Sequence, residues 1–62
     1  MFDETNKFKV GDLVIDRNNT KYGLGILVKT DLGPDQDVVI VVFPDGSVCH
    51  EFKVYLKVVS RA

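Results

Sequence analysis

The chain has 62 residues, 45% of them hydrophobic and 27% charged, with a net charge of −1. A chain of this length makes one domain and buries only about 60% of its unfolded surface, which leaves no room for a deep substrate cleft. Its apolar and charged fractions are those of a folded globule and exclude a disordered segment. The near-neutral charge argues against phosphate contacts as the main source of affinity.

Met1 to Lys7 is polar and aperiodic, so residues 1–7 read as a flexible N-terminal arm and 8–60 as the folded domain. The start of the chain does not combine basic residues with an apolar segment. The longest apolar run, Val38 to Phe43, is far shorter than the ~20 residues that span a bilayer. A single cysteine, Cys49, cannot form an intramolecular disulfide. The expected location is the cytoplasm.

A first strand is expected over Phe8 to Asp16, bent at Gly11-Asp12, with Asn18-Asn19-Thr20 as the following loop. Tyr22 to Thr30 is expected as the second strand. Gly23 and Gly25 lie two apart in it, where alternate residues share a face and a missing Cβ permits close backbone approach. Asp31 to Asp37, with Gly, Pro and three acids, reads as a solvated loop. Val38 to Phe43 is the third strand. Pro44-Asp45-Gly46 then predicts a tight hairpin: proline presets the first turn position and glycine accepts the left-handed conformation that closes it. Ser47 to Phe52 returns antiparallel. Val54 to Val59 alternates as Val54, Leu56, Val58 against Tyr55, Lys57, Val59 and suits a closing strand. No stretch reads as an amphipathic helix. Five strands at this spacing predict an all-β, five-stranded small barrel.

The residues that could carry chemistry are sparse. Gly23-x-Gly25 is followed by β-branched residues and not by the helix N-terminus that a phosphate loop needs. Cys49 and His50 are neighbours on a strand, so they point to opposite faces and cannot form a nucleophile–base dyad. One Cys and one His do not make a four-ligand zinc site. Asp31, Asp35 and Asp37 lack the glycine-centred spacing and terminal Glu of an EF-hand loop. No cofactor, metal or catalytic activity is expected.

The feature that stands out is Val38-Val39-Ile40-Val41-Val42-Phe43. A half-solvated antiparallel strand alternates apolar with polar residues, and this one does not. With Val39, Val41 and Phe43 facing the interior, Val38, Ile40 and Val42 point outward. Either the N-terminal arm (Met1, Phe2) or the C-terminal segment covers them, or they form a partner-binding stripe with Tyr22 and Tyr55 as amphipathic flanks.

Phe8, Val10, Gly11, Asp12 and Val14, then Gly23, Gly25 and Leu27, then Phe43, Asp45 and Gly46 together resemble a bacterial Tudor-like (SH3-like) module. Such modules form the C-terminal domain of UvrD/PcrA-type helicases and the RNA-polymerase-interacting domain of CarD-like proteins and transcription-repair coupling factors. The resemblance spans about Phe8 to Val59. One departure is that Asp16-Arg17 stands where these families often place a His after the first strand.

The resemblance implies a five-stranded SH3-like barrel that binds and does not catalyse. The implied role is a small phage or bacterial regulator of transcription or repair that docks on RNA polymerase through a strand edge or face. A second reading is a KOW-like nucleic-acid-binding barrel using Lys7, Lys9, Arg17, Lys21 and Lys29, which concentrate in the N-terminal half. A third is a homodimer made through the apolar stripe.

Overall fold

The computed structural model describes residues 8–62. The strands are β1 (Leu13–Asp16), β2 (Gly25–Leu32), β3 (Val38–Val42), β4 (Val48–Phe52) and β5 (Leu56–Ser60), with 3₁₀ turns at Thr20–Tyr22 and Lys53–Tyr55. They form one antiparallel sheet in the order β4-β3-β2-β1-β5. The described residues are therefore all-β, and no helix among them is long and apolar enough to cross a membrane. The expected arm, with Met1, Phe2 and Lys7, lies outside the described residues.

The β3–β4 hairpin follows from its turn. Gly46 has φ 90°, its N–H donates to the Phe43 carbonyl at 2.9 Å, and the Phe43 N–H donates to the Ser47 carbonyl at 2.9 Å. The Asp45 carboxylate accepts both the Ser47 N–H at 2.9 Å and the Ser47 hydroxyl at 2.6 Å. These bonds, the hydroxyl's first, hold the Asp45 carboxyl below its usual range. The ladder then runs without a slip through Val42↔Val48, Val41↔Cys49, Ile40↔His50, Val39↔Glu51 and Val38↔Phe52.

The remaining strands are displaced from their expected bounds for identifiable reasons. β1 begins at Leu13 and not at Phe8, because a reverse turn precedes it: the Asp12 N–H donates to the Lys9 carbonyl at 3.0 Å, and Gly11 has φ 98°. Asp12, fully buried, secures that turn. Its carboxylate accepts the Lys9 N–H at 3.0 Å and the Ala62 N–H at 2.8 Å, with the Arg61 guanidinium 4.0 Å away, so it ties the start of the domain to its end. Tyr22 and Gly23 belong to a 3₁₀ turn and its exit, so β2 starts at Gly25 and Gly23 does not share a strand face with it. At its far end β2 takes in Asp31 and Leu32, which were expected in the loop, after two irregularities in its pairing with β3. Val54 and Tyr55 lie in the second 3₁₀ turn, leaving β5 to begin at Leu56.

One core occupies the inner face: Phe8, Val14, Leu27, Val39, Val41, Phe43 and Leu56, with Cys49 and Val58 against it. Cys49 comes from β4 and Leu56 and Val58 from β5, the two ends of the sheet order, so the sheet curls around its own core. The edges of β4 and β5 are not paired with each other, and the closure expected of a barrel is absent from the hydrogen-bonded ladder. Gly25 makes the curl possible at β2. A Cβ there would overlap Val41 and approach the Phe43 ring to 3.0 Å.

Candidate protein-interaction face

The alternation hidden in the apolar run of β3 is resolved by burial. Val39 and Val41 are fully buried, whereas Val38, Ile40 and Val42 are half-buried on the opposite face. Cross-strand partners point the same way, so the register extends this outer face onto both neighbours. On β4 it gains Val48, His50 and Phe52; on β2 it gains Ile26, opposite Val42, and Lys29, opposite Ile40. Ile26 (48%), Val48 (60%) and Phe52 (50%) are substantially exposed for large apolar side chains. The outer face of β2–β3–β4 is thus an apolar patch with two polar members, His50 and Lys29.

Ile26, Val48 and Phe52 were not singled out from the sequence, although the signal was there. A hairpin closed by Phe43 and Ser47 fixes every later pair across it, so Val48 and Phe52 follow from the turn. Tyr55 joins the patch through Phe52, the two rings meeting edge-on with centroids 6.2 Å apart. Tyr22 is placed differently, against the inward-facing Phe43 with ring centroids at 4.9 Å, where it covers one end of the core.

Beside the patch an open cleft of about 300 Å³ is lined by Asp35, Gln36, Asp37, Phe52, Lys53 and Val54. Its one cation, Lys53, is paired with Asp31 at 2.7 Å, and that hydrogen bond is the chief reason the Asp31 carboxyl sits below its usual range. Among the described residues no three His, Cys, Asp or Glu side chains stand together as metal ligands would. Of the candidate basic residues, Lys9 and Arg17 lie at opposite ends of β1, Lys21 in the 3₁₀ turn and Lys29 on the apolar face; Lys7 is outside the described residues.

A second polar feature points inward. Glu51 faces the interior from β4 and meets Asp16, which is buried at the end of β1 and accepts the Asn18 N–H at 2.8 Å. Burial, and then the neighbouring Asp16 carboxylate, hold the Glu51 carboxyl above its usual range. This contact joins strands that are not adjacent in the sheet, so only the curl brings the pair together.

Comparison with family models, curated proteins and solved structures finds no match to the chain.

Proposed function

We propose that the chain is a non-catalytic protein-interaction module, an SH3-like (Tudor-like) small barrel that docks on a larger protein through the outer face of β2–β3–β4. The observation that carries this reading is the patch itself: Ile26, Ile40, Val42, Val48 and Phe52 lie side by side on one face, with Tyr55 beside Phe52. Contiguous exposed apolar surface of this kind on a small domain marks interaction sites, and aromatic residues at its margin suit an interface. The strand order, with its 3₁₀ turn before the last strand, is compatible with an SH3-like arrangement. The sequence resemblance to helicase C-terminal and CarD-like modules supplies the partner: RNA polymerase, in a regulator of transcription or repair that acts in the cytoplasm.

The test is binding of the purified chain to purified bacterial RNA polymerase, followed by gel filtration or interferometry, with Ile40→Glu as the disrupting variant. Glu is preferable to Lys at this position because Lys29 lies directly opposite, and like charges across a ladder destabilise the fold. The expected result is binding by the parent chain and loss of binding by a folded Ile40→Glu variant. Equal binding by both would remove the face from the interface. Titration with labelled duplex and single strands addresses the KOW-like reading, which gains only if binding is tight and falls steeply with salt.

A further inference from the structure

The two edges of the sheet are unequal. At β5 the ladder with β1 is interrupted by a register shift between Leu13 and Val14, and the strand carries the exposed Lys57. Bulges and lysines are the usual devices that keep an edge from pairing with another chain. At β4 neither device is present: five consecutive pairs run without a shift, and the strand has no Lys, Arg or Pro. Among the described residues nothing pairs with its far side.

The hydrogen-bonding parity of that edge is set by two bonds. Phe43 N–H donates to the Ser47 carbonyl and Lys53 N–H to the Asp37 carbonyl at 2.8 Å. Bonded and non-bonded pairs alternate in an antiparallel ladder, so Cys49 and Glu51 bond toward β3, while Val48, His50 and Phe52 direct their N–H and C=O groups outward. We infer that the β4 edge pairs with β4 of a second copy of this chain, antiparallel about a two-fold axis at His50.

The register selects itself. An axis at His50 engages all three outward-facing residues, with His50 exchanging both bonds with its own counterpart. Each Val48 then lies opposite the other copy's Phe52, an aliphatic–aromatic pair formed twice on the outer face. An axis at Glu51 sets two carboxylates against each other, and one at Cys49 leaves Phe52 beyond the paired strand. An axis at Val48 or Phe52 runs into the hairpin turn or the 3₁₀ turn, where the strand ends. A net charge of −1 per copy adds little long-range repulsion. The contact shares the Val48 and Phe52 side chains with the docking face proposed above, but main-chain groups of the edge form it, so it stands whether or not that reading does.

Sedimentation of the full chain from micromolar to near-millimolar concentration tests the pairing. The parent chain is expected to form dimers and His50→Pro to weaken them about tenfold through two lost hydrogen bonds. Its N–H faces away from β3, so proline there is compatible with an edge strand, and an unchanged circular dichroism spectrum checks this. Should that variant unfold, the pair Val48→Lys and Phe52→Glu gives the answer: Val48→Lys alone dissociates the dimer, and both changes together restore it because each new lysine faces the other copy's new glutamate. A parent chain that stays monomeric at every concentration overturns the inference. So does a dimer indifferent to His50→Pro, or, where that variant unfolds, a double variant that pairs no better than the single one.

Discussion

β3 presents five consecutive β-branched residues, yet its two faces have separate fates. Val39 and Val41 are fully buried against Leu27 and Phe43, while Val38, Ile40 and Val42, chemically the same, stay half-buried beneath an exposed border of Ile26, Val48 and Phe52. The difference teaches that residue type does not choose the face here. Glycine chooses it at one point: Gly25 lets β2 approach Val41 and Phe43 so closely that no side chain fits between. That brings the strands around the inner set and leaves the outer set on the convex side.

The strongest way to break this comparison is to exchange polarity on the inner face. Val41→Lys puts an ammonium group into an apolar core, at a cost of several kcal/mol, and a domain of this size has little more than about 5 kcal/mol in reserve. The variant is expected to be unfolded by circular dichroism and amide dispersion; a cooperative melt near that of the parent would show the assigned register to be wrong. Gly25→Ala acts on the same face with a single methyl group. Its overlap with Val41 and Phe43 predicts a loss of about 1–3 kcal/mol, measurable as a shift of the urea midpoint at unchanged slope. No shift would mean that β2 does not approach the core as described.

On the outer face the same chemistry is expected to matter much less for stability. Ile40→Glu removes a half-buried aliphatic side chain, so the loss is at most about 1.5 kcal/mol, and the domain remains folded while partner binding is lost. A Val41→Lys variant more stable than Ile40→Glu would reverse the two faces. The smallest expected effect sharpens the comparison at its polar exception. Glu51 faces inward, and its carboxyl is raised above the ordinary 4.5, chiefly by burial and then by Asp16. The fold therefore favours its protonated form. That stabilisation is complete below the unfolded value and is lost as the pH rises through the higher folded value. Glu51→Gln stays neutral throughout, so it is expected to melt slightly above the parent at pH 7, by less than about 1 kcal/mol, and to coincide with it near pH 4. A difference that does not change with pH would show that the fold does not raise the Glu51 carboxyl.

The hairpin was fully legible because its information is local. Proline, aspartate and glycine in sequence specify the turn, and the turn alone fixes which residues face each other across β3 and β4. The all-β class was legible as well, from β-branched runs between turn residues. Strand limits were less so: Phe8 and Val54 look like strand residues, but the first precedes a turn tied down by Asp12, and the second sits in a 3₁₀ turn. Hydrophobicity reports that a residue is worth burying and does not say whether a ladder reaches it.

By itself the sequence determined the all-β class with five strands, the P-D-G hairpin and the inward set Val39, Val41 and Phe43, since each follows from turn chemistry or from the period of two within a few residues. Only the tertiary structure decided what depends on contacts between distant parts of the chain. Asp12 looked like one half of a bend and proves to hold Lys9 and Ala62 together. Asp16 and Glu51 looked unrelated and meet across the interior. Tyr22, expected beside the stripe, lies over Phe43. The apolar patch grew beyond β3 because pairing aligned Ile26, Val48 and Phe52 with it, and the open edge of β4 appeared only once the order of the strands was set. Turn and strand preferences act over a few residues, whereas the curl of a sheet is settled by which surfaces exclude water together.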